Sequence, residues 1–107
     1  MYHQIRGRSL RALATYISTK REDIYYEGRG LHHLENEWLK KYESMICFCF
    51  NKDEKIIERI YKFPLWLIIG KKGIMIYKNN IAGWYEKYRI RDEEEIKSVN
   101  DLWNKTL

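Results

Sequence analysis

The chain has 107 residues, of which 45% are hydrophobic and 15% aromatic, and its formal net charge is +5. This composition is typical of a folded globular protein and excludes an intrinsically disordered one. Apolar runs such as residues 45–50 and 65–69 are far shorter than the roughly 20 residues that a membrane-spanning helix needs. We therefore expect a single α+β domain over residues 1–107 with no membrane span.

The positive charge is concentrated at the start of the chain. Residues 1–21 contain five cations and no acid, whereas residues 22–107 contain 15 cations and 15 acids, which cancel. The five cations are Arg6, Arg8, Arg11, Lys20 and Arg21. Charge concentrated on one element favours a polyanionic partner, and the phosphates of nucleic acid are the first candidate.

Residues 9–20 are predicted to form a basic N-terminal helix. Ser9 can cap this helix, and the apolar residues that follow recur at helical spacing. They are Leu10, Leu13, Ala14 and Ile17. The partial positive charge at a helix start opposes nearby arginines. These arginines are therefore either solvated on a plain surface or meet an anion, which nucleic acid or an anionic lipid surface would supply.

A second helix is predicted over residues 31–44, with Leu31, Leu34 and Trp38 on its apolar stripe. Residues 25–30 are predicted to be a loop, because Gly28 and Gly30 interrupt the pattern. The sequence leaves open whether the two tyrosines in this loop are buried or lie at an interface. They are Tyr25 and Tyr26.

The strands are predicted after residue 44. Residues 45–50 are apolar on both faces, as in a central strand. Pro64 ends a second strand or places it at an edge, and the glycines and lysines of residues 70–73 predict a hairpin. The predicted strands are residues 45–50, 56–63, 65–69, 74–77 and 82–91, and the isoleucines of residues 56–60 also fit a short helix.

A C-terminal helix is predicted from Asp92 to about residue 105, because Asp92 can cap it and three glutamates follow at its start. The expected fold is therefore α+β, with two N-terminal helices, a four- to five-stranded mainly antiparallel sheet and this C-terminal helix. The four tryptophans fall on the inferred apolar stripes and are predicted to lie in the core. They are Trp38, Trp66, Trp84 and Trp103.

The predicted strand over residues 82–91 places three cations and Tyr85 on one face. Such a face lines a nucleic-acid groove or is the solvent side of an edge strand. The predicted nucleic-acid-binding residues are therefore Arg6, Arg8, Arg11, Lys20, Arg21, Lys87, Arg89 and Arg91.

Motifs for catalysis or metal binding are incomplete. His32 and His33 precede acidic residues, but zinc needs three or four ligands at fixed geometry. Cys47 and Cys49 lie two residues apart on one strand, at or past the reach of a disulfide, and two free thiols are typical of the cytosol. We predict no catalytic residue, metal or cofactor.

Three functions remain open. The first is a small basic cytoplasmic binding protein that contacts nucleic-acid phosphates through its N-terminal arginines. A bias to isoleucine, with 14 residues against one valine, suits a phage or archaeal-virus reading frame. The second is a protein-interaction module, either a homodimer or an inhibitor of a host factor. The third is a small ribonuclease or toxin.

The third hypothesis comes from architecture. Two helices, an antiparallel sheet and a terminal helix, in a basic chain of about a hundred residues, resemble the RelE/ParE-type toxins. That resemblance implies cleavage of messenger RNA on the ribosome or action on gyrase. It lies in the order of elements alone, and it transfers no functional residue to this chain.

Overall fold

The computed structural model places six strands in one mixed sheet and describes residues 2–5, 12–29, 42–68, 71, 73–79 and 83–106. Five strands lie in the order β5-β4-β2-β3-β6, and β1 and β3 pair with different parts of β2. The strands are β1 (Tyr2–Ile5), β2 (Ala12–Lys20), β3 (Tyr25–Arg29), β4 (Ser44–Phe50), β5 (Ile57–Pro64) and β6 (Gly73–Tyr77).

β4 is a central strand because apolar side chains cover both of its faces. It runs parallel to β2, with Ala14 opposite Ile46, and antiparallel to β5, with Cys47 opposite Tyr61. Its residues from Met45 onward are fully buried as far as Cys49. The predicted central strand is confirmed. The mainly antiparallel sheet is confirmed too, since β2–β4 is the parallel pair among the described strands.

The two faces of the sheet are covered by different elements. On one face Phe63 and Met45 pack against the short helix α1 (Leu65–Ile68) and against Tyr85. On the other face Phe48 packs against the C-terminal helix α2 (Glu93–Thr106). The core therefore lies on both sides of the central strands, and the aromatic side chains are concentrated on the α1 face.

The C-terminal helix is confirmed. Its start is capped as predicted, because the backbone N–H of Glu95 donates to the Asp92 carboxylate at 3.2 Å. Val99 is buried against the sheet and Ile96 packs beside it. No helix in the described part of the chain is long and apolar enough to cross a membrane.

The predicted basic helix over residues 9–20 is wrong, because Ala12–Lys20 form β2. Both faces of β2 are buried, with Leu13 on one and Ala14 on the other. A strand that is apolar on both faces has no period of two, and its apolar residues then also fit helical spacing. Residues 15–19, rich in β-branched and aromatic side chains, favour the strand. The helix-dipole argument for an anion at these arginines therefore no longer applies.

The second predicted helix is not confirmed. Residues 31–41 lie outside the described residues, Tyr42 and Glu43 are not helical, and Ser44 begins β4. The expectation of two N-terminal helices is thus not met, since the first of them is a strand.

The predicted loop over residues 25–30 is instead strand β3, which pairs with β2 and β6. Packing requires a glycine at residue 28, because a Cβ there would collide with Cγ2 of Ile17. Gly28 therefore belongs to the strand rather than to a loop. Tyr26 is fully buried and Tyr25 nearly so. The question that the sequence left open about these two tyrosines is settled in favour of burial.

The predicted hairpin at residues 70–73 is wrong. Leu65–Ile68 form α1 rather than a strand, and β6 pairs with β3. Pro64 is the last residue of β5, and Leu65 and Ile68, one helical turn apart, are both buried. A single turn of helix buries these two side chains together, which a strand would place on opposite faces.

The predicted strand over residues 82–91 is also wrong. Glu86–Tyr88 form a 3₁₀ helix, and Arg89 makes one isolated bridge with Tyr61 of β5. The alternation of large and charged side chains in the sequence reflects a turn that buries Tyr85 and half-buries Tyr88. That turn brings Glu86 to the edge of the sheet.

Candidate nucleic-acid interface

A groove of about 370 Å³ opens on the α1 side of the molecule. Two segments far apart in the sequence form it, α1 with the residues just after it and residues 83–88. We call it the aromatic groove, and its lining residues are Trp66, Leu67, Lys71, Trp84, Lys87 and Tyr88. It combines aromatic rings with cations, and none of these lining residues is acidic.

α1 directs Trp66 into solvent. Leu65 and Ile68 are buried against the sheet, and the backbone N–H of Leu65 donates to the carbonyl of Glu43 at 2.9 Å. With those two side chains inward, Trp66, which follows Leu65, points outward on the helix. Trp66 is consequently 68% exposed, an unusual position for the largest apolar side chain.

The aromatic rings of residues 83–88 pack on the buried ring of Phe63 in β5. Its ring stacks on Tyr61 with centroids 5.6 Å apart. Trp84 lies 5.7 Å from Phe63, and Tyr88 meets Phe63 edge-on at 5.8 Å. Tyr85 packs against Trp84 at 5.3 Å. Buried aromatic contacts thus fix Trp84 and Tyr88 while 46% of Trp84 stays exposed.

Each lysine of the aromatic groove lies over a ring. The Lys71 ammonium is 5.4 Å from the centroid of Trp84, and the Lys87 ammonium is 5.1 Å from that of Tyr88. Both distances fall within the range of a cation–π interaction. The positive charges therefore lie directly beside the exposed aromatic surface.

Behind the groove, Glu86 binds a set of arginines, which we call the Glu86 cluster. Tyr61 donates to one carboxylate oxygen at 3.0 Å, and Arg91 donates to the other at 2.9 Å. The guanidinium nitrogens of Arg59 and Arg89 lie 3.8 and 3.9 Å from the same carboxylate. The Glu86 side chain is only 9% exposed, so these partners stabilise a nearly buried charge.

Burial raises the pKa of Tyr61 to about 12, and the Glu86 carboxylate contributes in the same direction against the opposing effect of Arg59. The phenol is therefore neutral at physiological pH and donates its proton to Glu86. Because Glu86 begins the 3₁₀ helix that continues through Lys87 to Tyr88, the cluster positions two residues of the aromatic groove.

A second polar cluster joins β3, β5 and the end of β6. β5 has one extra residue, Glu58, opposite the step from Cys49 to Phe50. This bulge turns Glu58 toward Tyr26, whose hydroxyl donates to it at 3.1 Å, and toward the Lys78 ammonium at 3.1 Å. Burial, assisted by Glu58, raises the pKa of Tyr26. The cations and acids of this cluster pair with one another, which is typical of a structural network.

The structure describes two of the five predicted N-terminal cations. Arg6, Arg8 and Arg11 lie outside the described residues. Lys20 is the exposed last residue of β2, and Arg21 begins the tight turn to β3. In that turn the Ile24 N–H donates to the Arg21 carbonyl at 3.0 Å.

The three predicted cations from residues 82–91 are separated by the 3₁₀ turn. Lys87 lines the aromatic groove, whereas Arg89 and Arg91 lie on Glu86. The Arg91 side chain is still 66% exposed. Four acids, Asp92 to Glu95, follow Arg91 directly, so acidic residues offset the charge of these arginines.

Sequence reasoning missed Trp66 and Trp84, which it assigned to the core. Trp38 lies outside the described residues, and for Trp103 only the backbone is described. The available signal for Trp66 was its place immediately after Pro64 and Leu65, where a strand ends. Trp66 becomes exposed because residues 65–68 form a helical turn. The sequence pattern predicted a strand there instead.

The candidate metal ligands do not come together in the described part of the chain. His32 and His33 lie outside the described residues, and no group of three or more metal-ligating side chains occurs among the others. Cys47 and Cys49 are free and buried. Burial, with a hydrogen bond that the Cys49 thiol donates to Cys47, raises the pKa of Cys49 well above its ordinary value, so this thiol is a poor nucleophile.

No protein-family model, no curated protein and no solved structure matches this chain. Its function is therefore argued from its own residues, and above all from the aromatic groove.

Proposed function

We propose that this protein binds nucleic acid and that the aromatic groove is the contact surface. The observation that supports this proposal is the combination of exposed Trp66 and Trp84 with two lysines, in a recess whose lining residues include no acid. Aromatic rings beside cations are the usual means by which proteins hold the bases and the backbone of a nucleic acid.

Charge outside the groove supports the same proposal. The cations of residues 1–21 account for the whole formal charge of +5. We propose that they add phosphate contacts that fix position without reading sequence.

The RelE/ParE resemblance no longer supports the ribonuclease or toxin hypothesis. That resemblance assumed a leading helix over residues 9–20, and Ala12–Lys20 form a strand. The proposal is therefore binding, with no catalytic step assigned.

A salt titration of binding tests the proposal. Contacts to about four to seven phosphates give a slope of log affinity against log salt near −3 to −5 for a single strand. The double variant Lys71→Gln, Lys87→Gln should reduce that slope by about 1.4. The triple variant Arg6→Gln, Arg8→Gln, Arg11→Gln should reduce it by about 2 if the N-terminal segment takes part.

The matched control is Lys52→Gln, Lys55→Gln, which removes two exposed lysines from the turn between β4 and β5, away from the groove. It should leave the slope within about 0.5 of the wild-type value. An absence of binding at low salt, or a groove variant that behaves like this control, would contradict the proposal.

A second candidate function is self-association. It is favoured by an apolar patch on the face of β6 that points away from the core. Ile74 and Ile76 are buried, whereas Met75 and Tyr77 between them are 40% and 45% exposed. Ile24, 47% exposed, lies near the end of this strand, since its carbonyl accepts from the N–H of Lys78 at 3.0 Å. Such a patch is typical of a surface that meets another protein.

Sedimentation velocity across a range of concentrations tests this second candidate. A homodimer that uses the patch should dissociate in the variant Tyr77→Lys, because a charge would be buried at the interface. A wild-type protein that stays monomeric at the highest concentration would exclude it.

A further inference from the structure

We infer that the aromatic groove takes an unpaired, single-stranded segment of nucleic acid, with a base stacked on an exposed tryptophan. This inference rests on the proposed function, since it specifies which form of nucleic acid the same groove binds. Three properties of the groove support it: its concave shape, its exposed rings and its small number of charges.

The shape of the aromatic groove does not suit a duplex. Duplex DNA is read by an element that projects into its grooves, such as a helix or a two-stranded ribbon. Here the protein surface is recessed, and its volume of about 370 Å³ is at the lower end of the range that holds a drug-sized ligand. A recess of that size accommodates about one or two nucleotides of a flexible strand.

The rings of the groove need an unpaired base. Trp66 is 68% exposed, and Trp84 keeps an exposed surface although Phe63 and Tyr85 fix its orientation. A base stacks on such a ring only when its face is free, as in a single strand, because the faces are covered inside a duplex. The fixed orientation of Trp84 lowers the ordering cost of binding.

The lysines bring phosphate binding and base stacking to the same place. Each ammonium lies over a ring, Lys71 over Trp84 and Lys87 over Tyr88. An exposed cation–π contact is weak, so a phosphate can draw the ammonium aside while a base takes its position over the ring.

The groove itself carries few charges. It offers two lysines for contact with phosphates. Affinity in the groove must therefore come mainly from stacking, which is available to a single strand.

Fluorescence anisotropy with the full chain tests this inference. The probes are labelled oligothymidylate of about 16 nucleotides and a labelled hairpin duplex with the same number of phosphates. We expect the duplex to bind at least about tenfold more weakly than the single strand. Trp66→Ala should weaken single-strand binding about 5- to 100-fold, and Trp66→Phe should retain most of the affinity because it keeps an aromatic face.

The control variant is Ile56→Ala, which removes a large apolar side chain, 62% exposed, outside the groove and should leave both affinities unchanged. Equal affinities for the two probes, with no effect of Trp66→Ala, would overturn the inference while leaving the proposed function standing. Binding of neither probe at low salt would overturn both. Trp66-dependent binding to phosphatidylserine vesicles without nucleic-acid binding would also overturn both, in favour of a membrane surface.

Discussion

The aromatic groove and the Glu86 cluster are neighbours built from the same kinds of residue, and they differ in how their cations are satisfied. In the Glu86 cluster three arginines share one nearly buried carboxylate, and Tyr61 completes its hydrogen bonds. In the groove Lys71 and Lys87 lie over aromatic rings, with no acidic residue among the lining residues that the structure describes.

This difference separates a structural role from a binding role. Arginines held by a buried carboxylate stabilise the turn that carries them, and an incoming anion has to compete with that carboxylate. Lysines over exposed rings have only a weak contact to give up. A cation of this protein is therefore available to a ligand when it has no carboxylate partner, whether it is a lysine or an arginine.

The largest expected effect is on the Glu86 cluster. Glu86→Gln leaves the guanidinium of Arg59 without its carboxylate in a largely buried position. Removing one partner of a buried ion pair costs about 3–5 kcal/mol, so the free energy of unfolding in urea should fall by about that much. Glu22→Gln, in an exposed turn, is the matched control and should change stability by less than about 0.5 kcal/mol. Equal effects of the two substitutions would mean that the cluster is not structural.

Alkaline pH should weaken the same cluster. The folded-state pKa of Tyr61 is raised from 10.0 to about 12, so the folded protein keeps a proton that the unfolded chain loses. This contribution is fully present below pH 10 and is lost as the pH rises toward 12, to a total of about 2–3 kcal/mol. Denaturation of wild type and Tyr61→Phe at several pH values measures it. A wild-type curve with the same slope as that of Tyr61→Phe would contradict the prediction.

Gly83→Ala should disturb both regions at once. A Cβ at residue 83 would lie 2.7 Å from Cζ of Tyr85, whose hydroxyl accepts from the N–H of Tyr77 at 3.2 Å. Crowding of this kind costs about 1–3 kcal/mol, and the displaced ring should also alter the position of Trp84. Urea denaturation and tryptophan fluorescence measure the two effects. Unchanged stability would show that Tyr85 has room to move.

The smallest expected effect on stability is that of Trp66→Ala. Because the side chain is 68% exposed, its loss should change the free energy of unfolding by less than about 0.5 kcal/mol. Phe63→Ala, which removes the buried ring below the groove, should cost about 3–5 kcal/mol. Urea denaturation of both variants compares them. A large loss of stability in Trp66→Ala would place that ring in the core, as the sequence first indicated.

The sequence correctly predicted the elements whose residue pattern fits only one backbone conformation. The strand at residues 45–50 is apolar on both faces, and Ser44–Phe50 form the central strand β4. Asp92 and the glutamates after it predict a helix start, and Glu93–Thr106 form α2. In both cases local sequence and burial favour the same conformation.

The sequence failed where one pattern fits two conformations. The apolar residues of Ala12–Lys20 suit a helix stripe and also a strand buried on both faces. Residues 82–91 alternate as a strand does, yet Glu86–Tyr88 form a 3₁₀ helix whose carboxylate reaches Arg59. The deciding contacts come from residues distant in the chain, which a local period does not contain.

By itself the sequence determined the α+β class, the central strand, the C-terminal helix, the two free cysteines and the position of the net charge, because these depend on composition and on local patterns. The tertiary structure alone decided which aromatic rings are buried and which cations are paired. Trp66 is exposed because Leu65 and Ile68 occupy the space against the sheet. Lys87 is available to a ligand while Arg89 and Arg91 bind Glu86, because the turn at residues 86–88 points these side chains in different directions.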